Sequence, residues 1–168
     1  MKTLRIFLAL MFFSLASLVS GVARADLPVA LIEESRLPYD LGPSNYDNSS
    51  SNYDNSISNY DNSPSNYENS ESNYNNTSSN YENSRNGKRR LVYMERGTPK
   101  FAGYYIVASN GVTNFFSPSG KRMFYNPKKG QSVFGGTDGT FCGVLGRVDS
   151  TFSLALTDRG LRLLLLSQ

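Results

Sequence analysis

The chain has 168 residues, 17 lysines and arginines against 14 aspartates and glutamates, a single cysteine and no histidine. The lone Cys142 excludes an intrachain disulfide, and without histidine the chain lacks the commonest general base and a common zinc ligand. We therefore predict no catalytic residue, no metal site and no cofactor. Cys142 is expected to be a buried small hydrophobic residue.

Residues 1–25 carry the three parts of a cleavable secretory signal peptide. A basic start is followed by an apolar run from Ile6 to Leu15, and Ala23-Arg24-Ala25 precedes Asp26. The strongly apolar part is shorter than the roughly 20 residues that span a bilayer. We therefore expect an exported protein, periplasmic or extracellular, with no transmembrane segment after cleavage.

Cleavage would leave a neutral chain whose two halves carry opposite charge. From Asp26 to Ser84, ten acidic residues stand against Arg36 alone, whereas Arg85 to Gln168 contains 13 basic and four acidic residues. The formal charges are therefore −9 and +9. This asymmetry is typical of an acidic segment beside a basic module, and it raises the hypothesis that the two halves contact each other.

The N-terminal lead, residues 26–43, contains the short apolar run Val29 to Ile32. Such a run either adds a strand to a later sheet or remains a loose connection, and its periodicity is too short to decide.

Six tandem heptads fill residues 44–85 without a gap: SNYDNSS, SNYDNSI, SNYDNSP, SNYENSE, SNYNNTS and SNYENSR. A coiled coil needs two apolar positions per heptad, and these heptads have one. In a single long strand the odd period would turn successive tyrosines to opposite faces. The remaining interpretations are a flexible segment and a regular stack of short turns, since Asn and Asp side chains readily form turns with their own backbone.

We expect the flexible, largely disordered segment, because the heptads bury too little apolar area to offset about 1–2 kcal/mol of backbone ordering per residue. Evenly spaced tyrosines still form a multivalent array whose avidity can exceed single-site affinity. A calcium site is not expected, because the carboxylates come one per heptad. The candidate binding residues of the repeat are Tyr46, Tyr53, Tyr60, Tyr67, Tyr74 and Tyr81.

A basic linker, residues 86–90, leads into a segment with turn signals about every 9 to 12 residues, the rhythm of successive antiparallel strands. This predicts an all-β domain over residues 91–168, as a small antiparallel meander or partly closed barrel that begins at about residue 89. The predicted strands are Leu91 to Glu95, Tyr104 to Ala108, Val112 to Phe116, Arg122 to Tyr125, Ser132 to Phe134, Phe141 to Leu145, Phe152 to Thr157 and Leu161 to Leu166.

The last two predicted strands carry the clearest patterns. Alternation places Phe152, Leu154 and Leu156 on the inner face, and the run from Leu161 to Leu166 is apolar on both faces, as in a central strand. A domain of about 80 residues without a disulfide has little stability to spare. Barrel closure, packing of the upstream lead or assembly into a homo-oligomer would each help.

Cations alternate with aromatic residues in the middle of this domain. Such a surface can hold anionic polymers or stacked rings. The alternative is an aromatic core with lysines at solvated turns. The candidate residues of this basic aromatic face are Phe116, Lys121, Arg122, Tyr125, Lys128 and Lys129.

Together these patterns predict an exported, non-enzymatic interaction or structural protein. The repeat would act as an acidic multivalent tether or ligand for an unidentified protein, and the β domain as its folded anchor. The alternative function is binding of an anionic cell-surface polymer (polysaccharide, lipid head group or nucleic acid) through the basic aromatic face.

Overall fold

A computed structural model describes residues 26–148 and 151–168. The predicted signal peptide lies outside these ranges, and so do Asp149 and Ser150, one of the turn signals that separate the predicted strands. The described strands and the helix are β1 (Leu27–Leu31), β2 (Arg90–Glu95), β3 (Thr98–Val107), β4 (Thr113–Phe116), β5 (Arg122–Asn126), β6 (Ser132–Gly135), β7 (Phe141–Val148), β8 (Thr151–Leu156) and α1 (Asp158–Leu166).

The strands form a closed barrel in which each strand pairs with the next. The pairs from β2 to β8 are antiparallel, whereas β1 runs parallel to both of its neighbours, with Leu27 opposite Leu91 and Val29 opposite Leu154. An ion pair between Asp26 and Arg90 fixes the start of β1 beside β2. The all-β prediction is confirmed, and the lead supplies the strand that removes the open sheet edges.

The barrel interior is apolar, and α1 packs against it. Leu164 of the helix is 2% exposed and belongs to the same cluster as the strand residues. The prediction of a final strand over Leu161 to Leu166 is therefore wrong, because an apolar run by itself does not distinguish a buried strand from a packed helix. The buried core residues are Leu27, Leu91, Ala102, Phe115, Met123, Phe124, Val133, Cys142, Leu154, Leu156 and Leu164.

One inward assignment on β8 is also wrong. Leu154 and Leu156 are fully buried as predicted, but Phe152 is 52% exposed. It lies at the outer end of the strand, paired with Arg147. Alternation along a strand predicts the side of the sheet on which a residue lies, but not how far the core extends along it.

The repeat is an ordered coil, so the expectation of a largely disordered segment is wrong. Each heptad makes two tight turns, and a side chain accepts from the backbone in each of them except at Thr77, whose hydroxyl donates to the Tyr74 carbonyl instead. In the fourth heptad the Asn66 Oδ1 accepts from the Glu68 N–H at 3.1 Å, and the preceding Ser63 Oγ accepts from the Ser65 N–H at 3.1 Å. These side-chain turns are the local chemistry that Asn and Ser favour.

Successive turns are joined by the asparagine at the fifth heptad position. The Asn69 Nδ2 donates to the carbonyls of Asp61 and Ser63 in the preceding turn, at 2.6 and 3.0 Å. Within the described coil the backbone hydrogen bonds link residues three or four apart and stay within one turn. The asparagine side chains therefore connect one turn to the next, as backbone hydrogen bonds connect strands in a sheet. The same pair of bonds is made by Asn48, Asn55, Asn62, Asn76 and Asn83.

We call this row of amides the asparagine ladder, and it explains why the apolar-area argument failed. All six amides are at most 8% exposed, and each makes two hydrogen bonds to the turn before it. A hydrogen bond between buried groups contributes net stability, whereas a buried group without a partner costs stability. The ladder repeats two such bonds in every turn and so supports a coil that buries little apolar surface.

An additional turn precedes the six heptads. Tyr39–Leu41 forms the same tight turn, and the carbonyls of Asp40 and Gly42 accept the two bonds from Asn48. Its fifth position holds Leu41 instead of asparagine. The coil therefore begins inside the lead, one turn before the sequence repeat is recognisable.

Asn76→Ala is predicted to destabilise the protein, whereas Asn75→Ala is not. Asn76 is 1% exposed and donates to the carbonyls of Glu68 and Ser70, while its neighbour Asn75 is exposed at the turn. Unpairing the two carbonyls should lower the free energy of unfolding by about 1–3 kcal/mol. Urea unfolding measures the difference, and two equal midpoints would contradict the ladder.

Candidate functional site

The coil lies against the outer face of β3 to β6. Side chains alternate along these strands, so Phe115 and Phe124 belong to the interior cluster while the next residues, Phe116 and Tyr125, belong to separate clusters on the other face. Phe116 stacks on Tyr104 with ring centroids 5.3 Å apart. These outer aromatic residues are fully buried because the coil covers them.

Hydrogen bonds between neutral groups fasten the coil at several turns. The hydroxyls of Tyr104 and Tyr125 donate to the carbonyls of Asn76 and Asn55, at 2.7 and 2.8 Å. The Asn114 Nδ2 donates to the Oδ1 of the ladder residue Asn69 at 2.9 Å. The acidic repeat thus contacts the basic domain, but through hydroxyls and amides more than through ion pairs.

In three of the six heptads the variable seventh position meets the barrel. Ile57 packs against Tyr125 and Phe134. The Glu71 Oε1 accepts from the backbone N–H of Arg122 at 2.8 Å, and the Ser78 Oγ lies 3.5 Å from the carbonyl of Ser119. Variation at the seventh position of the repeats was therefore the sequence signal for this contact, since these three turns meet different parts of the barrel.

Arg122 lies inside the contact between coil and barrel. It is 3% exposed, its guanidinium carbon is 4.8 Å from the centre of the Tyr125 ring, and its Nε donates to the Asn114 Oδ1 at 2.7 Å. Both terminal nitrogens are buried without a hydrogen-bond partner. Burial lowers the pKa of Arg122 to about 10, although Tyr125 and Glu71 act in the opposite direction.

The predicted basic aromatic face is not assembled at the surface. Phe116, Arg122 and Tyr125 are buried under the coil, where they form part of its seat. The sequence could not show this, because alternation identifies two faces of a strand without saying what covers the outer one.

The lysines of that predicted face remain exposed on turns. Lys128 and Lys129 line, with Asp54 and Asp61 of the coil, a small cavity of about 200 Å³. Lys121 lies beside Glu71 and Ser119 at a second surface cavity. Binding of an anionic polymer by these lysines stays a prediction.

The repeat tyrosines form one exposed column on the coil. They occupy the third position of every heptad, and their exposure lies between 60% and 67%. Because the ladder stacks equivalent turns, equivalent side chains follow one another along the coil. Tyr39, 67% exposed, extends the column by one turn. We call these residues the tyrosine column: Tyr39, Tyr46, Tyr53, Tyr60, Tyr67, Tyr74 and Tyr81.

Carboxylates accompany the tyrosine column. The residue after each repeat tyrosine is acidic in five of the six heptads, and Asn75 is the exception. Among the described residues, one of these carboxylates forms an ion pair, that of Glu82 with Lys88 at 3.7 Å. The surface beside the rings therefore keeps most of its negative charge. The acidic residues are Asp47, Asp54, Asp61, Glu68 and Glu82.

Other chemistry has little support among the described residues. They contain no group of three or more histidine, cysteine, aspartate or glutamate side chains that could hold a metal ion. Cys142 is free and fully buried, as expected, and burial raises its pKa to about 12, so the thiol stays protonated. Across residues 26–148 and 151–168, no helix has the length and apolarity needed to cross a membrane.

Comparisons of the chain with protein-family models, with curated proteins and with solved structures found no match.

Tyr104 and Tyr125 are predicted to make the coil sensitive to alkaline pH. Burial raises the pKa of both phenols above their ordinary value near 10, so the folded state holds protons that the unfolded chain releases. Stability should be fully present below about pH 10 and should fall as the pH rises further.

Tyr104→Phe and Tyr125→Phe test this prediction. Each variant leaves a coil carbonyl unpaired and should lose about 1–3 kcal/mol of unfolding free energy at neutral pH. Each should also lose less stability than the parent between about pH 8 and pH 11. Because the lowered pKa of Arg122 acts in the opposite direction, urea unfolding of parent and variant must be compared at each pH. Parallel pH curves would contradict the assignment.

Proposed function

We propose that this chain is an exported, non-enzymatic binding protein in which the tyrosine column is the binding surface and the barrel is its scaffold. The observation that carries this proposal is the nearly equal exposure of six tyrosines at one position of an ordered coil. An exposed aromatic row of this size has no structural role in the described contacts, whereas the aromatic residues at the seat are buried.

The attachment of the coil supports binding by a preformed surface. Hydrogen bonds from Tyr125, Asn114 and Tyr104 hold the second, fourth and fifth heptads on the barrel. A partner that contacts several tyrosines would not have to order the repeat first, which lowers the entropic cost of binding. Simultaneous contacts then add avidity. We therefore propose a multivalent ligand surface and not a flexible tether.

Export and a non-catalytic role are also part of the proposal. The N-terminal pattern of a basic start, an apolar run and Ala23-Arg24-Ala25 supports secretion. The chain has no histidine, and its one thiol is buried with a raised pKa. The chain therefore offers no cysteine nucleophile activated by a histidine.

The alternative, an anionic-polymer binding module, has weaker support. Three of its six residues are buried beneath the coil. Lys128 and Lys129 lie next to Asp54 and Asp61, whose charge opposes an approaching anion. The tyrosine column is therefore the favoured surface.

Substitution of column tyrosines by serine is predicted to abolish partner retention without unfolding the protein. The quadruple change at Tyr53, Tyr60, Tyr67 and Tyr74 removes exposed rings only. Mature protein immobilised on resin would be incubated with a cell-envelope extract, and retained components quantified by mass spectrometry. Retention should fall steeply from two to four substitutions, because avidity depends on simultaneous contacts.

Phe152→Ser is the matched control, since Phe152 is a half-exposed aromatic residue on the barrel. It should leave the retained components unchanged. Identical retention by the quadruple variant and the parent would refute the tyrosine column as the binding surface. Deletion of residues 44–85 is unsuitable, because it would uncover the buried Phe116 and Tyr125.

A further inference from the structure

The partner chemistry that fits the tyrosine column follows from its charge. Residues 26–84 contain ten acidic residues and one basic residue, Arg36. A carboxylate follows the ring in five of the six heptads, and Asp40 follows Tyr39 in the turn before them. An anionic partner would meet this negative charge along the whole column, whereas a cationic partner would be attracted to it.

The carboxylates are open to such a partner. Asp47, Asp54 and Asp61 are exposed, and the described residues show no cation within 4 Å of them. Lys128 and Lys129 share a cavity with Asp54 and Asp61 but form no ion pair with them. The first three heptads therefore each present an aromatic ring followed by an exposed carboxylate that forms no ion pair among the described residues.

The seat of the coil already contains the complementary arrangement. There the Arg122 guanidinium lies 4.8 Å from the centre of the Tyr125 ring, and the Glu71 carboxylate accepts from the Arg122 backbone N–H. The negative ring face attracts the cation. The Glu71 charge also favours the cationic form of Arg122, although the carboxylate binds the backbone N–H and not the guanidinium. The outer column repeats the ring and the carboxylate and lacks the cation.

We propose that the tyrosine column binds an extended, arginine-rich segment of a partner protein, with guanidinium groups placed over successive rings and beside the carboxylates. This inference rests on the proposed function and specifies its partner. Arginine suits the site better than lysine, because its planar guanidinium stacks on a ring and matches a carboxylate with two N–H groups. A ring followed by an acid in five of the six heptads lets several arginines engage together.

Fluorescence anisotropy with labelled oligo-arginine, titrated with the mature full-length protein, tests the proposal. The triple change of Tyr53, Tyr60 and Tyr67 to leucine should weaken binding about tenfold or more, whereas the same triple change to phenylalanine should keep affinity within about twofold, because phenylalanine retains the ring. Oligo-lysine of equal length should bind the parent more weakly than oligo-arginine.

A second variant set tests the carboxylates. The change of Asp47, Asp54 and Asp61 to asparagine leaves the backbone carbonyls that the ladder uses, and Asn75 shows that the turn accepts asparagine at this position. This variant should bind oligo-arginine about tenfold more weakly, and the decline of its affinity with added salt should be shallower. Phe152→Leu is the control and should match the parent.

The outcomes separate this inference from the proposed function. Equal binding by the leucine and phenylalanine variants would mean general charge attraction and would overturn it. Tighter binding of oligo-glutamate or of neutral dextran would also overturn it. If envelope components depend on the tyrosines while oligo-arginine does not bind the parent, the partner assignment fails and the binding surface stands.

Discussion

The hydrogen bonds of the asparagine ladder are the constraint on which the rest of this structure depends. Each ladder amide, such as Asn69, donates to two carbonyls of the preceding turn, so every turn fixes the position of the next. The coil buries few apolar side chains, and without these bonds its backbone would stay hydrated. Buried amides whose Nδ2 groups each donate two hydrogen bonds therefore order a segment that apolar burial alone would leave flexible.

The coil and the barrel stabilise each other. The coil covers the outer face of the strands, where Phe116, Tyr104 and Tyr125 would otherwise be exposed. In return, barrel hydroxyls and amides donate to polar groups of the coil, as Tyr125 does to the Asn55 carbonyl. This second contact surface, together with closure by β1, supplies burial that a barrel of this size without a disulfide needs. The repeat is consequently a layer of the fold.

The same geometry separates structural from binding positions within the heptad. The second, fifth and sixth positions make the turns and the ladder, and the seventh position meets the barrel at Ile57 and Glu71. The third and fourth positions, as in Tyr60 and Asp61, expose ring and carboxylate, and the fourth serves the ladder only through its backbone carbonyl. Side chains there can be selected for a partner without disturbing the coil, which is why the proposed binding surface is located there.

The sequence by itself determined the elements that short-range chemistry controls: the heptad period, the tendency of Asn to form turns, and most strands of the barrel. The tertiary structure decided whether the turns stack, that β1 closes the barrel, and that Arg122 lies buried instead of exposed. The reason is the separation in sequence between the interacting residues. A turn is closed by atoms two to four residues apart, whereas the ladder spans eight residues and the bond from Ser132 to Asn48 spans 84. Such partners meet only after the chain has folded.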